Sequence, residues 1–334
     1  MPKRITSETE LIETYLAPLA AGAPGAFGLK DDAALIETEA GFDLVVSTDP
    51  VIAGVHFFAD DAPQDIAWKA LAVNVSDLAA KGAEPVAYTM ALAFPVAPRH
   101  DWMAAFSAGL REAQAAFGCT LIGGDTDRTP GPLSIGVTAF GNVPRGQMVR
   151  RGSAMIGDRV FVTGTIGDSG LGLQLRKSPE AFGARLSQSD REFLLSRYLR
   201  PLPRVVLAPL LRKFASAALD VSDGLLKDAA RLAAGAGAAL NIQFEALPLS
   251  SAARAVLAAN PDFAQSLVTG GDDYEILFAV APQNHQAFID AARKLSITTA
   301  EIGVLAAGSG VGLKMSNGSV IEPSRGGYDH FQGN

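Results

Sequence analysis

The sequence predicts an α+β protein of two domains, and three observations carry that prediction. Short apolar runs and runs of helical period interleave along the 334 residues without the regular βαβαβ alternation that a doubly wound parallel sheet requires. A chain of this length supports two hydrophobic cores more readily than one. A polar stretch with Pro144, Gly146 and Gly152 interrupts the pattern near the middle, so the junction is placed to give domains 1–148 and 149–334.

Residues 7–19 read as an opening helix, because Leu11, Ile12, Tyr15 and Leu16 share a face and Ser7 with Glu10 has capping-box spacing. Apolar runs at 33–36 and 42–47, bounded by Gly and Asp, read as strands. Residues 64–81 place Ile66, Ala70, Val73 and Leu78 on the helical period and stop at Gly82, the signature of a long helix with a glycine end. A strand over 85–94, a helix over 102–117 closed by Gly118 and a strand over 133–140 complete the first half. The second half opens with a strand at 159–163 and a glycine-rich turn through Gly170. Helices near 205–214 and 225–234 follow, then strands at 239–244 and 274–280, a helix at 284–295, and strands near 302–305 and 311–315.

Composition narrows the function. With 48% hydrophobic and 19% charged residues the chain is an ordinary globular protein. Its one cysteine, Cys119, lies in an apolar run and forms no intramolecular disulfide, which fits a reducing cytoplasm. The first residues lack the apolar core of a signal peptide, and no run is long enough to cross a membrane, so neither export nor a membrane partner is expected. The net charge of −7, with no Lys/Arg stripe, argues against nucleic acid. An acidic protein that handles phosphates needs metal ions between its carboxylates and theirs.

Neither a G-x-x-x-x-G-K-[ST] loop nor a protein-kinase signature occurs. In their place stand short Asp motifs, most of them at the ends of apolar runs: Asp31-Asp32, Ser47-Thr48-Asp49, Ser76-Asp77, Gly123-Gly124-Asp125, Asp220-Val221-Ser222-Asp223-Gly224 and Gly270-Gly271-Asp272-Asp273. Carboxylates flanked by hydroxyls and by glycines that admit a phosphate to the backbone are the hard-oxygen donor set that Mg²⁺ takes. Each motif taken singly also fits a turn or a helix cap, and Ser222-Asp223-Gly224 before Leu225 fits an N-cap. Ser76-Asp77 differs, since it falls inside a helical run beside Val73, Val75 and Leu78, where a carboxylate needs a partner. His56 among apolar neighbours fits a core histidine, Arg150-Arg151 a solvated pair, and the turn at 164–170 an anion site at a helix N-terminus. Composition and spacing lead as far as metal-assisted phosphate chemistry.

In their order along the chain these motifs resemble those of the thiamine-monophosphate kinases: DDAAL from Asp31, STDPVIAGVHF from Ser47, WKALAVNVSDLAAKGAEP from Trp68, LIGGDTDR from Leu121, VTGTIGDS from Val162, ALDVSDGL from Ala218, TGGDDYEILF from Thr269 and GYDHF from Gly327. The resemblance implies the two-domain PurM-like fold of the aminoimidazole ribonucleotide synthetase superfamily. In that fold an N-terminal α/β domain pairs its sheet across a homodimer, and a larger C-terminal α+β domain completes the ATP and substrate sites. It further implies that Asp32, Ser47, Thr48, Asp49, Asp77, Asp125, Asp220 and Asp223 surround magnesium ions bridging the phosphates of ATP and substrate. Gly124, Asp125, Arg151 and Ser222 would contact the nucleotide, and His56, Asp272 and Tyr328 thiamine monophosphate.

The reaction implied is direct in-line attack by a substrate phosphate oxygen on the γ-phosphorus, with no protein nucleophile and no strong general base. Lys30 stands where the family usually has Gly, the position of Asp272 is Glu in some relatives, and Asp273 receives no role. Among rival readings, a selenophosphate synthetase would need a reactive cysteine near the N-terminus, and a hydrogenase-maturation dehydratase would end in cysteine, whereas this chain ends in Gly333-Asn334. An aminoimidazole ribonucleotide synthetase-like cyclase and a catalytically silent nucleotide-binding scaffold are the alternatives. The full set of carboxylates weighs against the scaffold.

Overall fold

A computed structural model describes residues 3–182, 185–295, 297–315 and 318–321. The chain forms two units, Met1–Ala79 with Ala83–Met148, and Ala80–Gly82 with Val149–Asn334.

The first unit opens with helix α1 (Glu8–Leu11), which passes into a π turn over Ile12–Leu16 and a 3-10 turn over Ala17–Leu19. The Ser7 hydroxyl accepts the Glu10 N–H at 3.1 Å, as the spacing predicts. The Glu10 carboxylate instead takes the N–H and hydroxyl of Thr6, at 2.7 and 2.6 Å, so the reciprocal half of the capping box closes one residue early. Residues 33–36 are not a strand. Their apolar members, Ala34 and Ile36, pack on a small cluster with Ala26, Ala87 and Ile122, and Leu35 donates its N–H to the Gly25 carbonyl at 2.8 Å. Their hydrophobicity serves packing against the sheet, not pairing within it.

Strand β1 (Phe42–Ile52), helix α2 (Pro63–Ala80), strand β2 (Glu84–Phe94), helix α3 (His100–Phe117), and strands β3 (Thr120–Arg128) and β4 (Ser134–Pro144) complete the unit. The sheet runs β1-β4-β2-β3, antiparallel except for the parallel β2/β3 pair. Burial alternates strictly along β4, the mark of a sheet covered on one face. Helix α2 has Ala67, Ala70, Leu71, Ala72, Val75 and Leu78 wholly buried, too many for a one-sided helix. Strand β1 runs five residues past its expected end, and β3 continues through Gly123-Gly124-Asp125. Asp49 and Asp125 therefore sit within strands, not at strand ends.

The second unit contains β5 (Arg159–Thr163), α4 (Asp168–Lys177), α5 (Gln188–Leu199), α6 (Ala208–Phe214), β6 (Ala215–Asp220), α7 (Leu225–Gly235) and β7 (Ala239–Gln243). Then come α8 (Ser251–Ala259), α9 (Phe263–Thr269), β8 (Ile276–Val280), α10 (His285–Lys294), β9 (Thr299–Ala306), β10 (Gly310–Lys314) and β11 (Val320–Ile321). The mixed seven-stranded sheet has the order β11-β10-β7-β9-β5-β8-β6, with only β7 and β10 parallel. Its core packs Val162, Leu219 and Leu277 against Leu225, Leu226 and Leu232 of α7. Helices α5, α8 and α9 and strands β6 and β11 are additional to the elements expected from sequence in this half. Strand β6 (ASAALD) is rich in alanine, a weak strand former, and is held by its pairing with β8.

Candidate active site

The first unit gathers oxygen ligands on neighbouring elements. Ser47, within β1, donates its hydroxyl to Asp77 Oδ2 at 2.5 Å across to α2. Two residues further along β1, the backbone of Asp49 is bracketed by Asn74: Asn74 Oδ1 accepts the Asp49 N–H at 2.8 Å and Asn74 Nδ2 donates to the Asp49 carbonyl at 3.3 Å. Strand alternation puts Ser47 and Asp49 on the α2 side. Thr48 points to the other face, where its hydroxyl contacts Thr138 Oγ1 at 3.0 Å and donates to the Val137 carbonyl at 3.1 Å. Thr48 is thus not brought to Asp77 by its side chain.

The register carries Asp49 to Val137, Val137 to Met90 and Met90 to Gly124, one row across all four strands. The Gly124-Asp125 corner is accordingly at the level of Asp49 but on the opposite edge, three strand spacings of about 4.8 Å away. Beside that corner lies an open cleft of about 210 Å³ whose lining includes Asp31, Asp32, Thr89, Gly123, Gly124 and Asp125, with Ile12, Leu16 and Leu29 as apolar wall. Gly124 has φ +155°, and a Cβ there would lie 1.9 Å from the Met90 carbonyl oxygen, so only glycine lets β3 approach β2 at this point.

His56 follows β1 in a turn that fixes its ring. Its Nδ1 accepts the Ile52 N–H at 3.0 Å, which in the neutral imidazole leaves the proton on Nε2. The buried Lys69 ammonium donates to the His56 carbonyl at 2.9 Å.

In the second unit Asp220 ends β6, paired in register with Ile276, and is 8% exposed. The next turn is not capped by its own Ser or Asp. Gly224 occupies the N-cap of α7, and the buried Asp228 reaches back so that its Oδ2 accepts the N–H groups of Ser222 and Asp223 at 3.1 and 3.0 Å. Burial pushes the Asp228 carboxyl up to about 6, opposed by the guanidinium of Arg231, which donates to it at 2.6 Å. Arg231 also pairs with Asp223 at 2.5 Å, and Lys227 with the same oxygen at 3.0 Å. Asp223 is therefore already neutralised by two cations.

The Gly270–Asp273 motif runs beside this turn. Asp272 N donates to the Ser222 carbonyl at 2.8 Å and Tyr274 N to that of Val221 at 2.9 Å, although Asp272 and Tyr274 both hold positive φ, 68° and 50°. The N–H groups at the glycine-rich turn before α4 are taken internally: the Asp273 carboxyl accepts from Gly167 N at 2.7 Å and Ser169 N at 3.2 Å. Glu275, wholly buried, accepts from Thr163 Oγ1 at 2.6 Å, Arg197 Nη2 at 2.7 Å and Arg204 Nε at 2.7 Å.

Arg151 is exposed on the loop before β5, and Tyr328 lies outside the described residues. Asn74, Asp228 and the Glu275 cluster escaped the motif reading. The signal for Asn74 was a polar residue inside an otherwise buried helix. Among the described residues no three His, Cys, Asp or Glu groups converge to hold a metal ion. The donors present, a hydroxyl and carboxylates, fit a hard cation such as Mg²⁺ that takes its other ligands from phosphate and water.

The AIR synthase related protein models match the chain, the N-terminal domain over residues 30–143 and the C-terminal domain over 156–316. A thiamine-monophosphate kinase of Caulobacter vibrioides is 42% identical over 329 residues, covering 97% of this chain and 91% of that protein. The crystal structure of thiamine-monophosphate kinase from Stenotrophomonas maltophilia K279a superposes with a TM-score of 0.79 at 42% identity, covering 87% of this chain and 90% of the other. A structure described as AaThiL complexed with AMPPCP and TMP matches with a TM-score of 0.76 at 31% identity, over 97% of both chains.

Proposed function

The chain belongs to the thiamine-monophosphate kinases of the AIR synthase related family, and from that membership we propose that it transfers the γ-phosphoryl group of ATP to the phosphate of thiamine monophosphate, giving thiamine diphosphate. The observation that carries this reading is the match along 97% of the chain to a relative in complex with AMPPCP and TMP. The Gly124-Asp125 corner and its cleft support an ATP phosphate site, with Arg151 and Ser222 as further nucleotide contacts. His56, presenting an Nε2 proton, suits a substrate phosphate, and Asp272 and Tyr328 are assigned to thiamine monophosphate.

Asp32, Ser47, Thr48, Asp49, Asp77 and Asp125 of the first unit, and Asp220 and Asp223 of the second, are assigned as magnesium ligands. The Ser47–Asp77 bond orients one carboxylate. Asp223 would exchange its Lys227 and Arg231 partners for metal. Bound magnesium would neutralise charge on the transferring group, the main demand of phosphoryl transfer. The acceptor oxygen is ionised near neutral pH, so the chain needs no general base, and in-line attack proceeds without a phosphoenzyme.

Leu44 and Val46, exposed at 37% and 54% on edge strand β1, support a homodimer formed by sheet pairing. Use of ATP and a buried lone cysteine support the cytoplasm, and among the described residues no helix is long and apolar enough to cross a membrane. The deciding experiment is turnover of thiamine monophosphate with ATP and Mg²⁺. Thiamine diphosphate formation is expected, and nucleotide binding without product would overturn the proposal in favour of a silent scaffold.

A further inference from the structure

Two aspartates that make no part of the assigned ligand set are buried at the two functional turns of the second unit. Asp228 and Asp273 both expose 1% or less of their surface. Each takes a pair of backbone N–H groups, Asp228 with one oxygen and Asp273 with both, and the two pairs belong to different turns. Asp228, on α7, accepts from Ser222 and Asp223. Asp273 accepts from Gly167 and Ser169 at the start of α4, and so pins its own segment, with Asp272 immediately before it, to that helix.

The segment needs pinning. Asp272 and Tyr274 hold left-handed φ values that side chains bearing Cβ adopt only at a cost of about 1–3 kcal/mol each, so the surrounding structure must over-determine them. On one side the backbone is bonded to Val221 and Ser222. On the other, Arg197 donates to the Asp273 carbonyl at 3.1 Å and to Glu275 at 2.7 Å. The Asp273 side chain supplies a further tie. Gly271 contributes by close approach, since a Cβ there would lie 2.5 Å from the Ser222 carbonyl oxygen.

We infer that Asp273 and Asp228 are positioning residues with divided duties, Asp273 fixing Asp272 for thiamine monophosphate and Asp228 fixing Ser222 and Asp223 for the nucleotide and its metal. The inference rests on the proposed kinase reading and extends it to residues that touch neither substrate. Asparagine is the informative replacement in both cases. At position 273, where Oδ2 takes the Gly167 N–H and Oδ1 the Ser169 N–H, it keeps the volume and turns an NH₂ toward one of the two. At position 228, where Oδ2 takes both N–H groups and Oδ1 the Arg231 guanidinium, its NH₂ opposes either that pair or Arg231.

The test is steady-state kinetics of D273N and D228N for both substrates, with a thermal melt of each. E301Q serves as a control, because it weakens the Arg159–Glu301 pair, 2.8 Å apart between β5 and β9, away from both turns. D273N is expected to raise KM for thiamine monophosphate about tenfold while KM for ATP changes less than about twofold, and D228N to do the reverse. E301Q should lower the melting temperature without moving either KM. Equal shifts of both KM values in both variants, or lower melting temperatures with unmoved KM values, would overturn the inference. Failure of the unaltered protein to phosphorylate thiamine monophosphate would overturn the kinase reading and the inference with it, so the two failures are distinguishable.

Discussion

Ser47 and Asp77, thirty positions apart, are joined by a 2.5 Å hydrogen bond from the hydroxyl to the carboxylate. The bond locks a half-buried charge on α2 to the middle of β1, and it leaves the remaining carboxylate lone pairs for a cation. Substituting Asp77 by Asn should lower turnover by about 100-fold or more with the fold intact, because a neutral ligand holds less tightly the cation that offsets the charge of the transferring group. S47A, which removes an uncharged assigned ligand together with the hydroxyl that orients Asp77, should cost about tenfold. Turnover within twofold of normal in D77N, in protein with a normal melt, would remove Asp77 from the metal site.

The same pair shows what was legible in the sequence. Ser76-Asp77 stood out because a carboxylate inside an apolar helix needs a partner, and the partner proved to be the hydroxyl of another recognised motif. The long elements, α2, α3 and β4, followed from periodicity and from the glycines that end the helices. The run 33–36 misled because four apolar residues look alike whether they pair in a sheet or lie on it. Asp228 was invisible for a different reason. Its role comes from reaching back over one helical turn to Ser222 and Asp223, and nothing in LLKDAARL separates a capping carboxylate from a solvated one. The turn before α4 fits an anion site in sequence alone, but its N–H groups are taken by Asp273, about a hundred residues away in sequence and brought there only by the fold.

Metal dependence is the second prediction. Asp31, Asp32 and Asp125 line one cleft, and the chain as a whole carries a net charge of −7, so a nucleotide approaching without a counter-cation meets repulsion. Calorimetric binding of ATP should collapse when Mg²⁺ is chelated and return when it is restored. Metal-free ATP bound as tightly as the magnesium complex would rule out the assigned ligand set.

Neighbouring glycines of β3 should behave differently. An added Cβ at Gly124 would lie 1.9 Å from the Met90 carbonyl oxygen, whereas one at Gly123 would lie 3.7 Å from Thr89 Cγ2, an ordinary contact. G124A is expected to destabilise by about 2–4 kcal/mol, through overpacking against backbone that cannot move aside, and G123A by less than about 1 kcal/mol. Urea midpoints of the two variants measure the difference. Equal midpoints would mean that β2 and β3 do not approach as closely at Gly124 as the structure has them.

The last prediction concerns pH. Burial pushes the Asp273 carboxyl up from 3.8 to about 8, outweighing the N–H groups of Gly167 and Ser169 and the guanidinium of Arg197, which favour the ion. In the unfolded chain the same group titrates near its ordinary value. Between these two values the folded protein holds a proton that the unfolded chain has released, so stability linked to this group must fall as pH rises. Its contribution is complete below about pH 4, declines across the interval, and is lost once pH passes about 8. Asn at this position does not titrate. The stability of the unaltered protein minus that of D273N, measured by urea unfolding from pH 5 to 9, should therefore decrease steadily with pH and level off at the alkaline end. A difference that is flat, or that grows with pH, would show that Asp273 is ionised throughout the neutral range. In that case the two backbone N–H bonds and Arg197 would outweigh burial.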